Sequence, residues 1–144
     1  MYLEIFEIIK DRLDDNTALN AFLATAPVYG FSEEIIDGKM PYLIIEPGPI
    51  NEKPEQIPNM KSGKITFEIH GKIENENQAD LISDSLEFVD LVFNALDGGP
   101  DFTSAGELII VNNSLVENKK LGDNSREIII LSEITTKIFK EGDR

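Results

Sequence analysis

The sequence has no cysteine and no tryptophan, and its only histidine is His70. Without cysteine the chain forms no disulfide and offers no thiolate for catalysis or for binding zinc or an iron–sulfur cluster. His70 falls on the polar side of a strand pattern, where it acts either as a pH sensor or general base, or only as a surface or interface side chain. The serines, glycines and acidic pairs form no nucleophile, phosphate-binding or metal-binding motif. We therefore expect no enzyme activity, no cofactor and no metal site.

Basic residues are also scarce, since 13 Lys and Arg stand against 27 Asp and Glu, for a net charge of −14. This balance argues against binding of phosphate backbones by the whole surface. The acidity serves either solubility or a surface that must not hold DNA. Long apolar runs are absent, and the first residues lack a basic start. We expect neither a signal peptide nor a membrane span, and a soluble protein made inside a cell.

The most informative feature is a change of hydrophobic period between Lys64 and Gly99. The apolar residues Ile65, Phe67 and Ile69 alternate with polar ones, which predicts a half-buried antiparallel strand. A helical stripe then follows, made of Ala79, Ile82, Leu86, Val89, Phe93 and Leu96 and widened by Leu81, Phe88 and Val92. Gly98, Gly99 and Pro100 form a stop signal for this helix. The pattern predicts a long helix lying on a sheet.

Other segments complete an α+β pattern. An N-terminal helix carries the stripe Leu3, Phe6, Ile9 and Leu13, and a short helix follows that Asn16 or Thr17 caps. We expect strands at 28–31, 41–45, 107–111 and 126–139, with 112–125 as a connection. The chain of 144 residues, 41% of them hydrophobic, has the size of one domain, 1–144. The prediction is a single α+β domain, a mostly antiparallel sheet of about four to five strands packed against a long helix and an N-terminal helix.

Residues 47–63 contain four prolines, mixed charges and the isolated apolar residues Ile50, Ile57 and Met60. This composition predicts a long loop, acting either as a binding arm or as a flexible connection. We expect residues 140–144 to form a flexible tail.

The last strand is apolar on both faces in its first half, because Ile129 and Leu131 alternate with Ile128 and Ile130. Such a strand is either sandwiched inside the fold or presents one face to another subunit. On the second interpretation, the candidate subunit contacts are Ile50, Ile57, Met60, Ile129 and Leu131.

Three segments together carry a family resemblance: LNAFLATAPVYGF after the first helix, the strand MPYLIIEPG, and the strand KITFEIHGKI leading into a helix that begins near Asn77-Gln78-Ala79. In this order they resemble the tail terminator or tail-completion proteins of long-tailed bacteriophages. The resemblance covers about residues 1–96, and the last two strands fit it only by number.

The resemblance implies a non-enzymatic virion assembly protein that forms a ring, usually a hexamer. Such a ring caps the tail tube and joins it to the head-side connector, so its partners would be further copies of itself, the tail tube protein and connector proteins. DNA would pass through without specific binding, helped by acidic side chains in the lumen. The implied location is the phage tail, assembled in the cytoplasm of a bacterial host.

Three other classes stay open on the sequence alone. An acidic inhibitor that mimics DNA would need carboxylates spaced like phosphates along one face, and the interspersed lysines weigh against it. A generic protein-interaction module would use the same acidity without forming a ring. A small enzyme would need a carboxylate site that no motif here reveals.

Overall fold

A computed structural model describes residues 2–30, 40–55, 60–97 and 109–139 of the chain. The described elements are, in chain order, α1 (Tyr2–Asp15), α2 (Thr17–Phe22), β1 (Val28–Tyr29), β2 (Tyr42–Pro54), β3 (Met60–Glu74), α3 (Gln78–Asp97), β4 (Ile109–Gly122) and β5 (Ser125–Phe139). They form one α+β domain, as the sequence pattern predicts.

The five strands form one sheet in the order β1-β2-β3-β5-β4. The short β1 is parallel to β2, and every other neighbouring pair is antiparallel. The central pair, β3 and β5, stays in register from Met60 opposite Phe139 to Glu74 opposite Ser125. β4 and β5 form a long hairpin joined by a turn at Asp123 and Asn124. The last two strands therefore pair directly with each other as one hairpin.

The three helices contribute buried side chains to one core on one face of the sheet. In β3 that face carries Ile65, Phe67, Ile69 and Ile73, which are at most 3% exposed, and the alternation in the sequence correctly predicts it. The core also contains Ile5, Ile9 and Leu13 from α1, Leu81, Phe88 and Val92 from α3, and Ile128, Ile130 and Ile134 from β5. The other face of the sheet carries no described helix.

The sequence pattern predicted the wrong centre for the buried side of the long helix. Ile82 and Leu86, assigned to its buried stripe, are 51% and 52% exposed, whereas Leu81 and Ser85 are fully buried. The apolar residues of α3 cover more than half of its circumference, so periodicity alone does not select the face. Contacts with the sheet select the side centred on Phe88.

The assignment of 47–63 to a loop or arm is wrong for most of its length. Residues 47–54 belong to β2 and residues 60–63 to β3, and a register shift between Pro47 and Ile50 marks a bulge. Beyond Ile45, β2 has a described strand on one side only, and a free edge tolerates proline because no partner needs its amide. Similarly, 112–122 continues β4 instead of forming a connection. The expected tail at 140–144 lies outside the described residues.

Candidate interaction surfaces

The four predicted contact residues that the structure describes do not form one patch. Ile50 is 49% exposed on β2, on the side of the sheet that carries the helices, where it pairs with Ile65. Ile129 and Leu131 are partly buried on the opposite face of β5, and Met60 is partly buried at the start of β3. Ile57 lies outside the described residues. The structure thus separates Ile50 from the pair on β5.

The helix-free face of the sheet mixes apolar side chains with ion pairs. Ile129 lies opposite His70, and Leu131 opposite Glu68, on neighbouring strands. Nε2 of His70 is 2.8 Å from a carboxylate oxygen of Glu68, and Lys64 lies 3.7 Å from Glu133. Ile129 and Leu131 are only partly buried, and the core that the described helices cover lies on the opposite face of the sheet. Their use as a subunit contact stays a prediction.

The outer edge of the hairpin carries a second apolar surface, which the sequence analysis missed. Four large side chains of β4 are 41% to 56% exposed: Ile110, Leu115, Val116 and Leu121. Val116 and Leu121 lie at the two places where the register between β4 and β5 shifts, so they are bulge residues. The adjacent apolar pair Leu115-Val116 is the only signal that the sequence offers, and the surrounding asparagines and lysines masked it.

Hydrogen bonds fix the hairpin edge against α3. The side-chain amide of Asn118 on β4 donates to Ser85 Oγ at 3.3 Å, and Ser85 Oγ donates to the Ile82 carbonyl at 2.7 Å. Arg126 on β5 donates from Nε to Asn118 Oδ1 at 2.8 Å and from Nη2 to the Asn118 carbonyl at 3.1 Å. The position of the apolar edge relative to the helical layer is therefore fixed by polar contacts.

An apolar pocket of about 430 Å³ opens at the opposite end of the sheet, between α1 and β2. We call it the α1–β2 pocket; it is lined by Tyr2, Leu3, Phe6, Tyr29, Gly30, Ile45, Pro47, Ile65 and Phe67. Leu3 is 67% exposed there, although the sequence assigned it to the buried stripe of α1. Ile50 lies beside the pocket through its pairing with Ile65.

Two tyrosine hydroxyls anchor the walls of this pocket. Tyr2 donates to Glu52 at 2.5 Å, and Tyr29 donates to Asp14 at 2.6 Å and contacts the Lys10 carbonyl at 3.1 Å. Burial, followed by the hydrogen bond to a carboxylate, raises the pKa of each phenol well above its usual range. Both hydroxyls therefore stay protonated at neutral pH and keep α1 attached to β1 and β2.

Among the described helices and strands, the acidic residues are concentrated in the helices. Described helices contain ten acidic and two basic residues, and α3 alone has five acids and no base. The strands contain seven acidic and eight basic residues. The helical layer is therefore strongly negative while the sheet is nearly neutral, a division that the total charge did not reveal.

Within residues 2–30, 40–55, 60–97 and 109–139, no group of three or more histidine and carboxylate side chains is arranged to hold a metal ion. In the same part of the chain, no helix has the length and hydropathy needed to cross a membrane. His70 contacts Glu68 on the helix-free face of the sheet and does not line the α1–β2 pocket.

Comparison with known proteins adds no family assignment. No protein-family model matches the chain. No curated protein matches its sequence. Functional inference therefore depends on the surfaces described above and on the resemblance of the sequence segments.

Proposed function

We propose that this protein is a non-enzymatic assembly protein of the tail-terminator type, which associates with copies of itself into a ring that caps a phage tail tube. The observation that carries the proposal is the β4 edge of the sheet, where four large apolar side chains, Ile110, Leu115, Val116 and Leu121, are 41% to 56% exposed on a strand that has only β5 beside it among the described residues. Isolated exposed apolar residues are ordinary. Four on one edge strand are typical of an association surface, even though Ile110 and Leu115 lie on opposite faces of the sheet.

The distribution of charge supports the role of such a ring around DNA. If the helical layer faces the channel, its ten acidic and two basic residues repel phosphates within the screening distance of about 8 Å at physiological salt. DNA then passes without binding. The nearly neutral sheet is left to contact other subunits, the tail tube and the connector, where a strongly charged face would hinder association.

The proposal is tested by measuring solution mass by light scattering over a wide range of protein concentration and salt, with negative-stain imaging of the largest species. A closed ring with an open centre, most simply a hexamer, is the expected result. A single species at the monomer mass over the whole range would contradict self-assembly. Imaging distinguishes a ring from a compact aggregate of equal mass.

A substitution pair links that assembly to the β4 edge. Val116→Asp places a charge on the edge, and Ile82→Asp places the same charge on α3 at nearly equal exposure, 51% against 56%. We expect Val116→Asp to weaken association at least about tenfold, the equivalent of about 1.4 kcal/mol, and Ile82→Asp to have little effect. Equal effects of the two variants would show that β4 has no special role.

The charge on α3 favours a second candidate, an inhibitor that mimics DNA. Asp80, Asp84, Glu87 and Asp90 follow one another along a helix that has no basic residue. Such a protein would act as a monomer and would inhibit DNA-binding enzymes, with inhibition lost at high salt. Replacing the three aspartates with asparagine and Glu87 with glutamine should abolish inhibition if the protein is a DNA mimic. The same replacement should leave ring formation intact if the protein is a tail terminator.

A further inference from the structure

We propose that Leu115 and Val116 of one copy dock in the α1–β2 pocket of a neighbouring copy, so that the chains join head to tail. This inference rests on the proposed function and names the two surfaces that meet. Both are apolar and both are open in the single chain: Val116 is 56% exposed, Leu115 is 41% exposed, and Leu3 at the pocket is 67% exposed.

The order of the strands places the two surfaces at opposite ends of the sheet. β4 is the last strand on one side, and β2 with the short β1 is at the other side, with β3 and β5 between them. A chain therefore cannot fill its own pocket with its own β4 edge. A contact between two different patches leaves one patch of each kind open for the next copy, and it produces a closed ring when the rotation closes.

Both edges of the sheet hinder the pairing of an edge strand with an edge strand of another copy. Such pairing is the main alternative way in which two sheets associate. Pro47, Pro49 and Pro54 remove three amides from β2, and bulges at Val116 and Leu121 interrupt the regular spacing of β4. The backbone of neither edge presents a continuous hydrogen-bonding ladder. The bulge at Val116 instead projects an apolar side chain, which suits insertion into a pocket.

Charge complementarity selects a second copy as the occupant. At the pocket, Glu4 follows Leu3 on α1 and Glu52 accepts the Tyr2 hydroxyl. The nearby bases are each paired with a carboxylate: Lys61 lies 3.5 Å from Glu52, and Lys10 lies 3.0 Å from Asp14. The β4 strand carries the opposite balance, with Lys119 and Lys120 against the single acid Glu117. Lys119 lies 3.5 Å from Glu117 and 4.0 Å from Glu127, so Lys120 is the base of β4 that is left to meet the carboxylates at the pocket. In a chain of net charge −14, β4 is one of the few segments with an excess of positive charge.

The absence of cysteine makes a clean test possible, because any introduced thiol is unique. Val116→Cys and Leu3→Cys are prepared separately, mixed in equal amounts and treated with a short thiol-to-thiol crosslinker. We expect covalent dimers from the mixture and essentially none from either variant alone. A double variant that carries both thiols in one chain should give a ladder of covalent species that ends at the size of the ring.

The matched control is Ile82→Cys, which has similar exposure on α3 and lies in neither surface. Mixed with Leu3→Cys, it should not crosslink above the level of random collision. Thermal unfolding of each variant verifies that the fold is retained. Crosslinking of Ile82→Cys as efficient as that of Val116→Cys would overturn the inference.

The other outcomes separate this inference from the proposed function. Dimers formed by Val116→Cys alone, ending at two chains, would show symmetric β4–β4 pairing and overturn the head-to-tail contact. A ring seen by imaging without crosslinking between positions 3 and 116 would retain the function and reject these surfaces. If the double variant gave covalent species that increase in size without an upper limit, the contact would be supported but the closed ring would be contradicted.

Discussion

The ring of Phe88 on α3 lies against the backbone of Gly71 on β3. A Cβ atom built on Gly71 would lie 2.4 Å from Cζ of Phe88 and 2.6 Å from its Cε1, both far inside contact distance. The missing side chain in the middle of an apolar strand face is therefore what lets α3 approach the sheet. This contact also fixes which side of α3 is buried.

We expect Gly71→Ala to lower the free energy of unfolding by about 1–3 kcal/mol, because the new methyl group displaces a fully buried aromatic ring. Gly122→Ala is the matched control, since its nearest neighbour is Ser125 Oγ at 3.7 Å, an ordinary contact distance. Chemical denaturation of both variants measures the difference. Equal stability of the two variants would show that α3 adjusts freely over position 71.

Neighbouring residues of β5 test the two faces of the sheet. Ile130→Lys buries an unpaired charge in the core and should cost about 4 kcal/mol or more, enough to prevent folding. Ile129→Lys places the charge on the helix-free face opposite Glu117 and should change stability by only about 1 kcal/mol.

The same Ile129→Lys variant tests the predicted subunit contact. A folded protein that no longer assembles, seen by circular dichroism and light scattering, would place Ile129 in an interface. Loss of folding would support the sandwiched strand that the sequence left open. Normal folding together with normal assembly would contradict both interpretations of the strand.

Two fully buried serines should respond differently to alanine. Ser85 Oγ bonds to the Ile82 carbonyl and to Asn118, whereas Ser132 Oγ has no hydrogen-bond partner among the described residues. We expect Ser85→Ala to cost about 0.5–1.5 kcal/mol and Ser132→Ala to be neutral or stabilising. Thermal melting of both variants provides the comparison. A larger loss for Ser132→Ala would indicate a partner for its hydroxyl that this structure does not show.

The raised pKa of Tyr29 predicts that the folded protein loses stability at alkaline pH. Because burial and the hydrogen bond to Asp14 raise its pKa in the folded state, the proton is held more tightly there than in the unfolded chain, where the ordinary value is 10.0. The stabilisation is complete below pH 10.0 and declines as the pH rises from there towards the folded pKa.

Melting temperatures measured across this pH range for the native chain and for Tyr29→Phe check the effect. The native chain should lose stability more steeply above pH 10.0, because phenylalanine has no proton to release. The pKa of Tyr2 is also raised, by burial and by its hydrogen bond to Glu52, so the variant Tyr2→Phe provides a second comparison. Parallel profiles for the native chain and Tyr29→Phe would exclude Tyr29 as the cause.

The sequence by itself determined whether a segment is a helix or a strand where its local pattern, an alternation or a cap, allows one interpretation. The strict alternation in β3 and the Asn16 cap of α2, whose side chain accepts from the Leu19 amide at 2.9 Å, are local properties that the fold does not alter. The α+β class followed from the order of such elements.

Only the tertiary structure decided which segments pair, which side of a helix is buried and where a pocket forms, because each of these features depends on residues that are distant in the sequence. The proline-rich segment 47–54 is a strand because β3 supplies one ladder and its other edge beyond Ile45 has no described strand to require the missing amides. The buried side of α3 depends on the space above Gly71, and the exposure of Val116 depends on the bulge against β5. The α1–β2 pocket exists only where residues of α1, β1, β2 and β3 meet, so no local sequence pattern could predict it.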